Sequence, residues 1–168
     1  MKVKMGILLC ACILLLPAGV RAQEWRRIKP LRTTRTEVEQ LFGKAERSYA
    51  VTYELETGNL FVEYSTGPCG SDKRAGWNVP EDTVISYSFS AKNKQRFADF
   101  KLDSKKFRKV TDAHVGIIDY YINDEEGIMY EVQGGEVDYV EYYPPRRYNR
   151  LYCGDSSAIL LRGKTPSP

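Results

Sequence analysis

The alternation of apolar and polar residues predicts one short helix followed by a series of strands. Thr34 precedes Glu37 by three positions, which is the pattern of a capping box at a helix N-terminus. The apolar residues that follow recur with the i, i+3, i+4 spacing of one helical face: Val38, Leu41 and Phe42. Gly43 favours a left-handed C-terminal cap. We therefore predict a helix over residues 35–42.

The rest of the chain is dominated by two-residue alternation, which is typical of strands. The clearest case is residues 84–90, where Ile85, Tyr87 and Phe89 alternate with serines and predict one buried face. Five other segments have strand character: 49–55, 60–64, 115–122, 128–133 and 137–143. We expect an α+β fold, in which the short N-terminal helix packs on an antiparallel sheet of about five to six strands.

The first 22 residues have the pattern of a secretory signal peptide. Two lysines precede an apolar run over residues 5–16, and Val20-Arg21-Ala22 is a small-x-small cleavage site. The run is shorter than the roughly 18 residues that a membrane-spanning helix needs. We predict cleavage near Ala22-Gln23, export to the periplasm or the extracellular space, one domain over residues 23–162, and a disordered tail over residues 163–168.

Removal of the predicted signal peptide changes the charge and the cysteine count. The 25 basic residues lose three and become equal in number to the 22 acidic residues, so the net charge falls to zero and a nucleic-acid partner is not expected. Of the four cysteines, only Cys69 and Cys153 remain. Outside the cytoplasm such a pair predicts a disulfide, and two buried free thiols are the alternative.

The sequence assigns no catalytic, cofactor-binding or metal-binding residue. His114 is the single histidine, so it cannot form a two-histidine metal site, although it could act as a base. The acidic residues from Asp119 to Glu126 lack the ligand spacing of a calcium loop. There is no glycine-rich phosphate loop.

Basic and aromatic residues are the remaining functional signal. Arginines interleave with tyrosine over residues 146–150 and could bind an acidic partner or a glycan; solvated surface charge is the alternative. Paired tyrosines on two strands could expose aromatic rings to a partner or pack across the sheet. The candidate partner-binding residues are Tyr120, Tyr142, Tyr143, Arg146, Arg147, Tyr148 and Arg150. A second basic run covers residues 105–109.

The helical region resembles the start of exported bacterial proteins of the SmpA/OmlA and β-lactamase-inhibitor-like type. The matching positions are Thr34, Val38, Leu41, Phe42 and Gly43. The resemblance implies an α+β fold with a helical layer and a role in binding other proteins at the envelope. The chain lacks a lipobox cysteine and an evident second helix. With Pro30-Leu31 and Trp77-Asn78-Val79-Pro80, it also resembles uncharacterised exported bacterial proteins.

These observations favour a non-catalytic exported module that binds a protein or an envelope component. A small secreted hydrolase that uses carboxylates or His114 is the alternative, and a purely structural secreted domain is a third possibility.

Overall fold

The structure, a computed structural model, describes residues 25–69, 76–112 and 117–154. The predicted signal peptide, His114 and the predicted tail lie outside the described residues. The predicted helix is confirmed as α1 (Arg35–Phe42). In its capping box the Glu37 carboxylate accepts the Thr34 N–H at 2.7 Å, and the Thr34 hydroxyl accepts the Glu37 N–H at 3.4 Å.

Eight strands of the described residues form one antiparallel sheet: β1 (Ala50–Leu55), β2 (Gly58–Tyr64), β4 (Val84–Ala91), β5 (Gln95–Arg96), β6 (Arg108–Asp112), β7 (Ile118–Asn123), β8 (Ile128–Gln133) and β9 (Glu136–Tyr142). Their order across the sheet is β1-β2-β4-β9-β8-β7-β6, and β5 also pairs with β9. A separate two-stranded sheet joins β3 (Gly76–Trp77) to β10 (Tyr152–Cys153).

The α+β class is confirmed, but the prediction of five to six strands is wrong. The largest omission is β6, whose charged residues pair with β7 at the sheet edge, where alternating burial is weak. The two-residue β5 is too short to produce a periodic pattern.

The prediction that Ile85 lies on the buried face of β4 is wrong, because β4 contains a β-bulge at this residue. Glu63 pairs with Ser86 and the next residue of β2, Tyr64, pairs with Val84, so Ile85 is skipped. Val84 is therefore fully buried and Ile85 is only half-buried. Tyr87 and Phe89 do lie on the buried face, as predicted.

The main hydrophobic core lies on one face of the sheet. Val62, Tyr87, Val140 and Tyr130 contribute to it from neighbouring strands. Four parts of the chain cover this face: α1 through Val38, the segment with Trp25 and Ile28, the 3-10 helix Phe97–Phe100, and Phe107. The 3-10 helix Phe97–Phe100 thus packs on the core through both of its phenylalanines.

A buried arginine connects α1 to the sheet. The Arg35 Nε donates to Asp82 Oδ1 at 2.7 Å, and Nη2 donates to the Ser48 carbonyl at 2.5 Å. The guanidinium lies 3.8 Å from the centroid of the Tyr64 ring. These contacts offset part of the cost of removing the charge from water, since the buried Nη1 has no hydrogen-bond partner among the described residues. They hold the first residue of α1 against the sheet.

A second, smaller cluster lies on the opposite face of the same sheet. It consists of Tyr120, Ile122, Met129 and Tyr143, with Val110, Ile118 and Tyr139 beside them. In β8, Tyr130 and Val132 belong to the first cluster and Met129 to the second. Both faces of this part of the sheet are therefore apolar. This explains why adjacent tyrosines, whose side chains point to opposite faces, can both pack against apolar residues.

Cys69 and Cys153 form a disulfide, as predicted, with their Cα atoms 6.0 Å apart. The bond lies next to the β3–β10 pair, where the Trp77 and Tyr152 rings meet edge to face at 5.3 Å. Within residues 25–69, 76–112 and 117–154, no helix has both the length and the apolar character that crossing a membrane requires.

Candidate partner-binding surface

Two basic segments that are distant in sequence meet at Tyr148. The Arg32 Nη2 donates to the Tyr148 hydroxyl at 3.0 Å, across 116 positions of the chain. The Arg147 guanidinium lies 5.0 Å from the centroid of the Tyr148 ring. The predicted arginine-tyrosine patch is therefore joined by a basic segment, residues 26–32, which lies outside the predicted candidate residues.

The first segment is held by backbone hydrogen bonds. The N–H groups of Arg32 and Thr33 both donate to the Lys29 carbonyl, at 3.1 and 3.0 Å. Leu31, with φ 61°, donates its N–H to the Val84 carbonyl at 2.7 Å. Lys29 and Arg32 thus belong to one turn that is bonded to the first residue of β4, an interior strand of the sheet.

The second segment is the 3-10 helix Arg146–Leu151. Its first N–H donates to the Asp124 carbonyl at 2.9 Å, and its last carbonyl accepts the Asn78 N–H at 2.7 Å. The disulfide at Cys153 follows directly. Arg147, Tyr148 and Arg150 are therefore presented from a backbone that is fixed at both ends.

The cations of these segments are largely free of internal acidic partners. We define the basic surface as Arg27, Lys29, Arg32, Arg147 and Arg150 with Tyr148; all five cations are exposed. Among the described residues, none of the five forms an ion pair with a carboxylate. Arg146 is different, because it lies 3.7 Å from Glu125. Hydrogen bonds from the Arg147 and Arg32 guanidiniums hold the pKa of the Tyr148 hydroxyl below its usual range.

The second basic run, residues 105–109, has a different environment. Lys106 pairs with Glu126 at 3.4 Å, and Arg108 pairs with Asp124 at 3.1 Å. Lys109 pairs with Asp119 at 2.8 Å. These ion pairs neutralise three of the four basic residues of the run. They also engage three acidic residues of the segment 119–126. The described residues contain no group of three or more side chains placed to hold a metal ion.

The predicted tyrosines lie mostly inside the protein. Tyr120 and Tyr143 are each 8% exposed, and the Tyr143 hydroxyl donates to Asp124 at 3.0 Å. The Tyr142 ring is stacked on Tyr87 at 4.8 Å. Rings in these positions stabilise the sheet and offer little area to a partner. A partner-binding role for these three tyrosines stays a prediction.

One carboxyl group has the environment of a possible acid catalyst. Glu131 in β8 lies directly opposite Tyr120 in β7 and Tyr139 in β9. Burial raises the pKa of Glu131, and hydrogen bonds with the Tyr139 and Tyr120 hydroxyls oppose this shift in part. A carboxyl group with a raised pKa is one requirement of general acid catalysis.

A cavity of about 170 Å³ lies beside the 3-10 helix Phe97–Phe100. Its lining is mainly apolar and includes Phe97, Leu102 and Phe107, with Lys101, Ser104 and Tyr121 as polar members. Ligand clefts usually measure roughly 300–1,000 Å³. Glu131 is not part of this lining.

Comparison of the chain with protein-family models, with curated proteins and with solved structures gives no match. The resemblance noted in the sequence therefore stays a prediction, and the candidate site rests on geometry and charge. Three residues of the basic surface, Arg27, Lys29 and Arg32, are not among the candidates predicted from the sequence. Their signal was present, because residues 26–35 contain five basic residues and no acidic one.

Proposed function

We propose that this protein is an exported, non-catalytic binding module that uses the basic surface to bind an anionic partner, namely another exported protein or an envelope component. One observation carries the proposal. Five exposed cations, none of which has an ion-pair partner within the described part of the chain, lie on two fixed segments that meet at Tyr148. This concentration of charge is notable in a predicted mature chain whose acidic and basic residues are equal in number.

The chemistry of the surface favours a protein partner. Arginine guanidiniums bind carboxylates with two parallel hydrogen bonds, and arginine and tyrosine are enriched at the energetic centres of protein interfaces. Arg32 and Arg147 are already oriented by their contacts with Tyr148, so less conformational entropy is lost on binding.

Two features support export. The N-terminal 22 residues have the three regions of a signal peptide. Disulfides such as Cys69–Cys153 form and persist mainly in oxidising compartments outside the cytoplasm.

The test is affinity capture from envelope extract with the tagged full chain and two charge-reversal variants. Arg32→Glu/Arg147→Glu changes the basic surface, whereas Lys92→Glu/Lys105→Glu makes the same change in net charge at exposed lysines outside it. We expect the wild type and the lysine variant to recover the same partner, and the arginine variant to recover at least about tenfold less. Recovery should fall as salt rises. No partner above background, or equal recovery by both variants, would contradict the proposal.

The hydrolase alternative is favoured by one observation, the raised pKa of Glu131 between two tyrosines. Its test is a screen of the purified chain against glycan and peptide substrates. Hydrolysis that is lost in Glu131→Gln or in His114→Ala would replace the binding proposal with an enzymatic one.

A further inference from the structure

Strand β1 forms one edge of the large sheet. Among the described residues, the outward backbone groups of Thr52 and Glu54 have no hydrogen-bond partner, whereas the Ala50 N–H donates to the Ser48 hydroxyl at 3.4 Å. Strand β1 pairs with β2 on one side, and no other strand of the described ranges pairs with it. The Tyr64 N–H donates to the Tyr49 carbonyl at 2.7 Å, which identifies these two as a hydrogen-bonded pair. Because such pairs alternate along antiparallel strands, the backbone groups of Ala50, Thr52 and Glu54 point away from β2.

The β1 edge has few of the features that usually block strand addition. It is six residues long, contains neither proline nor lysine, and has one charged residue, Glu54, near its end. The opposite edge, β6, contains Arg108 and Lys109, and charged side chains discourage pairing with another chain. The two edges of one sheet are therefore protected to different degrees.

The side chains around β1 indicate which sequence would fit there. Thr52 lies opposite Phe61, a residue that is 39% exposed, and the side chains of Ala50, Thr52 and Glu54 share this face of the sheet. Glu54 lies two residues along the same face, and Glu56 follows in the turn. Both carboxylates are exposed, and within the described part of the chain neither has an ion-pair partner.

We propose that β1 accepts an extended segment of a partner protein as an additional antiparallel strand, with a basic residue opposite Glu54 and an apolar residue opposite Thr52. In antiparallel pairing the residue opposite Glu54 comes first, so the segment reads basic-x-apolar. Its backbone would bond to the free groups of Thr52 and Glu54, which supplies affinity. The basic side chain would pair with the Glu54 and Glu56 carboxylates, and the apolar one would pack on Thr52 and extend towards Phe61.

This interaction uses a different element from the basic surface and selects the opposite charge. A variant of the basic surface, Arg147→Glu, should therefore leave peptide binding at β1 unchanged. Failure of the two proposals can thus be distinguished.

The experiment is a titration of the ¹⁵N-labelled full chain with the capped peptide Thr-Lys-Thr-Phe-Thr, followed by amide chemical shifts and hydrogen exchange. We expect shift changes centred on β1 and at least tenfold slower exchange of the Thr52 and Glu54 N–H groups at saturation. A matched peptide with Glu in place of Lys should bind at least fivefold more weakly.

Two variants complete the test. Thr52→Pro removes an outward donor without removing a β1–β2 bond and should abolish binding, while the amide spectrum reports whether the sheet is intact. Glu54→Lys should reverse the preference between the two peptides. Unchanged β1 amides at millimolar peptide, or equal binding of both peptides, would overturn the proposal. So would protection that rises with protein concentration alone, because the occupant would then be a second copy of this chain.

Discussion

Removal of the disulfide is the perturbation whose effect follows most directly from the structure. Cys69 and Cys153 are 84 positions apart, so the bond closes a ring of 85 residues. In the loop-entropy treatment, closing a ring of this length lowers the entropy of the unfolded chain and raises its free energy by about 4.5 kcal/mol at 25 °C. We expect Cys69→Ser/Cys153→Ser to lower the free energy of unfolding by about 3–5 kcal/mol.

The assay is urea-induced unfolding followed by tryptophan fluorescence, since Trp25 and Trp77 are both buried. The melting temperature should fall by about 10–15 °C. The m-value should rise, because an unfolded chain without the cross-link exposes more surface. The wild type unfolded in the presence of a reductant is the control and should match the variant.

A loss of stability below about 1 kcal/mol with an unchanged m-value would refute this reasoning. It would mean that the unfolded chain is equally compact with and without the bond. A loss that is large in the double serine variant but absent in the reduced wild type would instead indicate a defect at the substituted positions.

Three other predictions concern single residues. Thr34→Ala removes the N-terminal cap of α1 and should cost about 1 kcal/mol in urea unfolding, whereas a change within error would contradict the capping geometry. Gly127→Ala should cost more than about 2 kcal/mol, because φ is 69° and the added methyl would overlap the Tyr143 carbonyl oxygen. Gly134→Ala is its control: φ is 60° and no atom lies within 4 Å of the added methyl, so a cost near 1 kcal/mol is expected. The folded state binds the Glu131 proton more tightly than the unfolded chain does, so this group stabilises the fold less as the pH rises from about 4 through the raised pKa. Glu131→Gln should therefore reduce the fall in stability over that range, and an unchanged pH profile would show that burial does not raise this pKa.

Local patterns in the sequence were sufficient for α1 and for the faces of several strands. The cap, the apolar stripe and Gly43 act within one or two turns, so they can be identified without knowing the sheet. The exception within β4 is informative. Ile85 continues a clean alternation, but its burial is decided by the pairing of Glu63 and Tyr64, which lie more than 20 positions away. A bulge depends on two strands, and one strand's pattern does not contain it.

Part of the candidate site could be predicted because some of its residues are close together in the sequence. The cluster of Arg146, Arg147, Tyr148 and Arg150 is contiguous in sequence, so composition was enough to find it. Arg32 joins it only through the tertiary fold. For the paired tyrosines, the sequence leaves two alternatives open, exposure to a partner or packing across the sheet. The second apolar cluster favours packing for the tyrosines of β7 and β9, because it buries the face that a half-buried sheet would expose.

Strand β8 contributes alternate side chains to both apolar clusters, and it is bonded to β7 and β9 along its whole length. Its detachment would expose both clusters at once and break two ladders. The free energy of such an opening should therefore approach that of global unfolding, and the amides of β8 should be among the slowest to exchange with deuterium. The two clusters should melt in a single cooperative transition, in which neither persists after the other is lost.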